Sequence, residues 1–137
     1  MTNILQHLPK PLFILAPMDD VTDTVFRRII GQCAPPDLYF TEFMNVDGFC
    51  SPGRQKVSKK IKKTDAESPI IAQIWGKHPE NYYMAAQELA LQGFDGIDNR
   101  GDGRERRSGE GIAELAVSVV APAFHLAVVH EHARVVG

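Results

Sequence analysis

The sequence predicts an α/β fold in which about four strand–helix units contribute parallel strands to one sheet. Short, unbroken apolar runs recur between residues 12 and 98, and such runs are typical of strands that a parallel sheet buries on both faces. Segments with helix-forming patterns lie between the runs, and this alternation implies right-handed βαβ connections. The 137 residues, 44% hydrophobic and 23% charged, fit one globular domain.

The first unit begins with Leu12–Ala16, an apolar run that predicts a strand buried on both faces. Residues suited to a helix N-cap follow, so a helix is expected next. Its predicted inward positions, spaced i, i+3, i+4 and i+7, are Phe26, Ile29, Ile30 and Cys33. The same periodicity places Arg27 and Arg28 on the outer, solvent-facing side.

Three further strands are predicted, at Leu38–Phe43, Ile70–Trp75 and Phe94–Asp98. A basic amphipathic segment, Arg54–Lys63, precedes the third strand of the chain. A helix is expected to begin at Pro79, because proline suits the first helical position, and to be capped at its C-terminus by Gly93.

Bulk composition excludes several classes of function. The net charge of −2 does not indicate a nucleic-acid binder, although a local basic patch remains compatible with it. Cys33 and Cys50 form no CxxC pair, so we expect free thiols and a cytoplasmic location. The histidines near the C-terminus match no zinc spacing, and no apolar stretch suits a membrane span, so neither a metal nor a membrane is expected.

The composition changes near residue 98. Residues 1–98 contain seven Lys and nine of the ten Ile, whereas residues 99–137 contain no Lys and five Arg. One interpretation is a loop followed by a helical tail. The other is that residues 99–137 come from a different source, such as a shifted reading frame or a fusion.

Polar residues occur where the predicted strands end, and parallel α/β folds place their functional sites there. Gln73 interrupts an apolar run, so its buried amide must bond either a ligand or a neighbouring backbone group. Glu42, between Thr41 and Phe43, has the same two interpretations, and capping of a neighbouring loop is the simpler one.

Four segments, collinear over residues 10–98, resemble motifs of the tRNA-dihydrouridine synthase family. They are Ala16-Pro17-Met18 with Val21-Thr22-Asp23 and Phe26-Arg27, then Thr41–Phe43, Ala72–Gly76 and Gly93–Asp98. The resemblance implies a partial (β/α)8 TIM barrel of about four strand–helix units, since a complete barrel takes at least about 200 residues. It also implies FMN as cofactor, NADPH as reductant, and reduction of the C5=C6 bond of uridine in tRNA.

The resemblance implies roles for particular residues. Ala16, Pro17 and Met18 match the segment that lies against the isoalloxazine ring, and Gln73 matches a glutamine that hydrogen-bonds it. The basic segment becomes a candidate contact for tRNA phosphates, although a solvated helix face is the alternative interpretation. Its cationic residues are Arg54, Lys56, Lys59, Lys60, Lys62 and Lys63.

The resemblance ends at the fourth strand. The family continues into a Gly-Cys-Pro turn whose cysteine donates a proton, whereas here Asp98 is followed by Asn99-Arg100-Gly101, and no cysteine follows. We therefore predict no catalytic residue, and we expect this chain to be inactive alone and to self-associate through exposed sheet edges. The alternatives are a fragment of another FMN-barrel oxidoreductase and a non-catalytic RNA-binding fragment.

Overall fold

The structure is a computed structural model, which describes Ile4, residues 7–99 and the strand at residues 117–118. The helices are α1 (Thr24–Cys33), α2 (Val46–Phe49), α3 (Arg54–Ser58), a 3-10 turn (Lys59–Ile61) and α4 (Pro79–Leu91). The strands are β1 (Tyr39–Asn45), β2 (Ile70–Trp75), β3 (Gly96–Asn99) and β4 (Val117–Ser118). No described helix is long and apolar enough to cross a membrane.

One sheet contains the four strands in the order β1-β2-β3-β4. The first three strands are parallel and successive in the chain, as the alternating sequence pattern predicted. The short β4 is antiparallel to β3, with Val117 opposite Asp98. The predicted strands at Ile70–Trp75 and near Gly96 are thus confirmed, and β1 extends two residues beyond the predicted end at Phe43.

The prediction for Leu12–Ala16 is wrong in its burial on both faces, and the segment forms only the start of a strand pairing. This segment forms a single parallel bridge, between Ile14 and Leu38, supported by a 3.1 Å hydrogen bond from Leu15 N to Leu38 O. Phe13 is 69% exposed and Ile14 is 44% exposed, so the run is not buried on both faces. It lies at the outer edge of the sheet, where within the described ranges only β1 is its neighbour.

The two faces of the sheet differ, because side chains alternate along each strand. One face packs against the helices and carries the main core, which includes Tyr39, Met44, Ile70, Ala72, Ile74, Ile97, Ala85 and Leu89. The opposite face carries a small apolar cluster of Leu38, Phe40 and Ile71. Gln73 follows Ile71 on that second face, nearer the C-terminal end of β2.

The predicted orientation of α1 is wrong at Arg27, Ile29 and Cys33, whereas Arg28 is exposed as predicted. Arg27 is fully buried, and its Nε lies 3.4 Å from Oε1 of the buried Glu67, while its guanidinium donates to the backbone oxygen of Thr22 at 2.7 Å. Ile29, expected to face inward, is 54% exposed, and Cys33 is exposed as well. The helix turns its arginine inward because a buried carboxylate before β2 receives it.

Helix α4 begins and ends as predicted. Pro79 occupies its first turn, and Gly93 adopts φ +74°, a left-handed conformation that suits glycine. Gly93 N donates to Ala90 O at 3.0 Å and Phe94 N to Leu89 O at 3.2 Å. This pair of bonds is the Schellman motif, which satisfies the last carbonyls of the helix and leads the chain directly into β3.

Candidate functional site

A row of three residues crosses the parallel strands near their C-terminal ends. Phe43, Gln73 and Asp98 are Cα partners in successive strands, so they share the sheet face opposite the main core. Gln73 is fully buried and Asp98 is 1% exposed. Gln73 Nε2 donates a short hydrogen bond to Asp98 Oδ2, which joins the two side chains across β2 and β3.

The neighbouring strand fixes the position of Gln73. Its backbone N–H donates to Thr41 Oγ1 at 3.0 Å, and the Thr41 hydroxyl in turn donates to the backbone oxygen of Glu42 at 2.9 Å. The register of β1 against β2 shifts between Phe40 and Phe43, at the residues that supply these groups. At this shift in register, the hydrogen bond from Gln73 N to Thr41 Oγ1 takes the place of a backbone–backbone bond between β1 and β2.

The side-chain oxygen of Gln73 lacks a hydrogen-bond partner among the residues that the structure describes. Gln73 Oε1 is buried and accepts no hydrogen bond from any residue that the structure describes. Because Nε2 of the amide donates to Asp98 Oδ2, Oε1 points to the other side of the amide group. An unsatisfied buried acceptor costs roughly 1–3 kcal/mol, so Gln73 is prepared to accept a bond from an N–H or O–H group of a ligand.

The segment Ala16–Met18 leads into a tight loop at the same end of the sheet. Thr22 closes this loop, since its Oγ1 accepts from Met18 N at 2.9 Å and donates to Met18 O at 3.0 Å. Thr22 itself is buried, whereas Met18 is 43% exposed and Ala16 is exposed. The loop thus presents Ala16 and Met18 outward from a fixed backbone, with Pro17 half-buried between them.

Glu42 attaches this loop to the end of β1. Its Oε1 accepts from Asp20 N at 2.7 Å, and Asp20 has φ +57°, a left-handed conformation that is uncommon for a residue other than glycine. The simpler of the two interpretations of Glu42, that of a cap for a neighbouring loop, is what the structure shows.

Lys60 lies among three carboxylates at this position. Its ammonium is 2.5 Å from Asp19 Oδ1, 2.8 Å from Asp20 Oδ1 and 3.4 Å from Glu42 Oε1. Burial disfavours the charged ammonium, but the hydrogen bonds to Asp19 and Asp20 and the charge of Glu42 outweigh this effect and raise the pKa of Lys60. The hydrogen bond and charge of Lys60 lower the pKa of Asp20 in return.

The same carboxylates are spaced closely enough to hold a metal ion, since one oxygen from each lies within 4.8 Å of the others. The Lys60 ammonium already provides a cation at that point. We name this group, formed by Asp19, Asp20, Glu42 and Lys60, the lysine–carboxylate cluster. Its observed role is to fasten the loop to β1 and to the 3-10 turn.

The predicted cofactor-binding residues lie at the same end of the sheet, but the loop residues do not contact Gln73 through a hydrogen bond. The loop with Ala16, Pro17 and Met18 follows the segment beside β1, whereas Gln73 lies on β2, on the other side of β1. No hydrogen bond between this loop and Gln73 is present in the described part of the chain. The sequence alone does not identify Asp98 and Thr41 as the partners of Gln73, because strand register is not readable from one sequence.

The predicted RNA-contacting residues fall into two groups. Lys60 belongs to the lysine–carboxylate cluster, and Arg54 pairs with Glu88 and stacks 4.1 Å from the Phe49 ring centroid. The other members are Lys56, Lys59 and Lys62, which are exposed, and Lys63, which lies 5.3 Å from the Phe94 ring centroid. The basic segment is therefore not a uniform charged face.

The two cysteines of the chain lie in different surroundings. Burial raises the pKa of the Cys50 thiol more than the nearby Arg54 lowers it, and its Sγ lies 3.7 Å from Asn81 O. Cys33 is exposed at the end of α1. The prediction that neither replaces the missing proton donor stays a prediction.

The geometry at the strand ends can be compared with known families. A family model described as dihydrouridine synthase matches residues 14–101, which include the loop, the lysine–carboxylate cluster and the Gln73 row. The chain belongs to the dihydrouridine synthase family. The resemblance recognised in the sequence is thereby confirmed.

Curated members of the family support the same assignment. The chain is 46% identical over 97 residues to a probable tRNA-dihydrouridine synthase of Staphylococcus aureus strain COL. It is 44% identical over 97 residues to probable tRNA-dihydrouridine synthase 2 of Bacillus subtilis strain 168. In both comparisons the match covers 70% of this chain and 30% of the relative, so the chain spans about a third of its relatives.

Proposed function

We propose that residues 1–98 form the N-terminal half of an FMN-binding (β/α)8 barrel that reduces uridine in tRNA. The observation that carries this proposal is the buried Gln73 amide at the strand ends, on the sheet face opposite the main core, with an acceptor oxygen that no described residue occupies. Parallel α/β folds bind cofactors at this end of the sheet.

The residues present fit a flavin ring. Gln73 Oε1 would accept a hydrogen bond from a ring N–H, and Asp98 would hold the amide in the required orientation. Ala16, Pro17 and Met18 would lie against the ring, on a loop that Thr22 and the lysine–carboxylate cluster hold in place. The chemistry that FMN supplies when bound is reduction of the C5=C6 bond of uridine with electrons from NADPH.

The proposed partner is tRNA, in a cytoplasmic enzyme. Support for an RNA contact comes from the basic segment, of which Arg54, Lys56, Lys59, Lys62 and Lys63 remain candidates. We leave Lys60 out, because three carboxylates surround its ammonium. The exposed apolar edge at Phe13 and Ile14 supports the proposal that the isolated chain self-associates.

We propose that residues 99–137 do not belong to the family segment. The change of composition near residue 98 and the end of the family match at residue 101 support this boundary. The coding DNA downstream of codon 98 tests it. If another frame encodes Asn, then Gly-Cys-Pro and the remainder of a barrel, the boundary stands; a family-like continuation in the present frame would contradict it.

A chimaera tests the proposed activity. Residues 10–98 of this chain would replace the matched segment of the Bacillus subtilis relative, and dihydrouridine formed in tRNA with FMN and NADPH would be measured by mass spectrometry. We expect the chimaera to form dihydrouridine whenever the intact relative does, and the 137-residue chain alone to form none. A folded chimaera that binds tRNA but forms no dihydrouridine would favour a non-catalytic RNA-binding segment instead.

A further inference from the structure

A groove of about 520 Å³ lies on the side of the sheet that carries the main core, because Phe49 and Ile61 of that core line it. It runs between α1 and the basic segment, and Thr24 and Arg28 of α1 form one side of it. Phe49 and Ile61 contribute apolar surface to it. Four further charged residues line the groove: Arg54, Lys62, Lys63 and Asp65.

The groove is positive, although the whole chain has a net charge of −2. Four cationic side chains and one carboxylate line it, which gives a local formal charge of +3. The ion pair of Arg54 with Glu88 lowers this to +2. Arg28 and Lys62 are exposed, and neither forms an ion pair with a residue that the structure describes. Two cations from different elements are thus available to one elongated anion.

A polar atom at the groove also lacks a partner. Thr64 lines the groove, and its Oγ1 is buried without a hydrogen bond to any other residue of the described chain. The neighbouring Thr24 hydroxyl, in contrast, is already used as a donor to the Glu67 carboxylate at 2.9 Å. The Thr64 hydroxyl therefore still has a donor that no described residue uses.

The groove lies close to the strand ends along the chain. Lys60 is the cation of the lysine–carboxylate cluster, and Lys62, two residues later, lines the groove. Two residues of extended backbone span at most about 7 Å. An RNA strand with a nucleotide at the strand ends therefore has the groove within reach of its adjoining phosphates.

We propose that this groove, rather than the basic segment as a whole, binds the phosphodiester backbone of RNA. Arg28 is the added member, since it lies on α1 and outside the basic segment. The inference rests on the proposed function, because it takes tRNA as the partner. It goes further in assigning the contact to Arg28 and Lys62 and in excluding Lys56 and Lys59.

Two charge-matched double variants of the 137-residue chain test the inference. The groove pair is Arg28→Gln with Lys62→Gln, and the control pair is Lys56→Gln with Lys59→Gln, which changes two exposed cations outside the groove lining. Binding of an in vitro transcribed tRNA would be measured over a range of salt concentrations. We expect the groove pair to weaken binding about tenfold or more and to lower the slope of log K against log salt by about 1–2, with the control pair near wild type.

The outcomes separate the inference from the proposed function. Equal weakening by both pairs would contradict the groove while leaving RNA binding in place. If the unaltered chain bound no tRNA, the groove inference and the proposed partner would both be wrong. Arg28→Lys with Lys62→Arg should bind like wild type, because it preserves the charge. Circular dichroism on all variants identifies any loss of binding that reflects unfolding.

Discussion

Lys60 Nζ lies 3.4 Å from Oε1 of the buried Glu42, and the same glutamate oxygen accepts the backbone N–H of Asp20. Lys60→Met removes the ammonium group and leaves the buried Glu42 carboxylate without its cationic partner. Hydrogen bonds to charged groups contribute about 1.5–3 kcal/mol, and the exposure of Asp19 and Asp20 reduces their share. We expect the free energy of unfolding, measured with urea, to fall by about 1–3 kcal/mol.

Lys59→Met is the matched control, since Lys59 is an exposed lysine of the same 3-10 turn. Substitutions of this kind usually change stability by less than about 0.5 kcal/mol. Hydrogen exchange at the Asp20 amide gives a second measurement, with faster exchange expected in Lys60→Met alone. Equal stability of the two variants would show that the lysine–carboxylate cluster does not fasten the loop.

The buried pair of Arg27 and Glu67 gives the next prediction. Removing one member of a buried ion pair leaves an uncompensated charge and typically costs about 3–5 kcal/mol. We therefore expect Arg27→Met to lower the free energy of unfolding by about that amount, because Glu67 is 1% exposed. Urea unfolding measures the change, and the milder Glu67→Gln provides a second variant if Arg27→Met does not fold.

Arg28→Met is the control for that substitution, because the adjacent arginine is exposed. Its stability should stay within about 0.5 kcal/mol of wild type. If Arg28→Met destabilised the chain as much as Arg27→Met, the inward orientation of Arg27 would be incorrect.

Asp47 makes the stability of the chain depend on pH, because its carboxylate accepts hydrogen bonds from residues at the start of α4. A hydrogen bond from the Asn81 side chain, with further bonds from the backbone N–H groups of Lys77 and His78 and from the His78 ring, lowers the pKa of Asp47 to about 2. Because the folded pKa lies below the ordinary value of 3.8, the stabilisation is nearly complete above about pH 5 and is lost as the pH falls toward 2.

Thermal unfolding between pH 5 and pH 2 measures this effect. In Asp47→Asn, the loss of unfolding free energy between pH 5 and pH 2 should be smaller than in wild type by on the order of 1 kcal/mol. This figure is reduced for solvent screening. Asp65→Asn, at an exposed position, serves as the control and should retain the wild-type decline. An unchanged pH profile in Asp47→Asn would contradict the assigned role.

The core of the fold was predictable because its signals are local. Ile70–Trp75 is an apolar run of strand length, and the structure has a strand with those bounds. Pro79 and Gly93 mark the ends of α4 through their own backbone preferences. These features depend only on residues that are close in sequence, so the bounds of this strand and helix can be predicted from the sequence alone.

The errors concern residues whose surroundings come from distant parts of the chain. Periodicity placed Arg27 in solvent, because nothing near it in sequence showed that Glu67, 40 positions later, would be buried opposite it. Leu12–Ala16 has the composition of a central strand, yet Phe13 is exposed because the run lies at the sheet edge. Position within a sheet is a property of the assembled fold.

The residues of the candidate site that have a local signal were predictable, whereas their contacts with distant residues were not. Gln73 was identifiable as a polar residue within an apolar run, whereas its bond to Asp98 depends on the register of β2 against β3. Lys60 was grouped with its basic neighbours by composition. Its contact with Glu42, 18 positions away, is what separates it from them.

The affinity of the chimaera for FMN, with and without Gln73→Met, tests the central claim most directly. Methionine has a similar volume but removes the amide acceptor, so the loss of one hydrogen bond of about 0.5–1.5 kcal/mol should weaken FMN binding up to roughly tenfold. Flavin fluorescence titration measures the dissociation constant, and urea unfolding confirms that the variant is folded. FMN binding by the chimaera that falls in Gln73→Met is the result we expect; unchanged affinity in a folded Gln73→Met chimaera would contradict the claim that Gln73 binds the flavin.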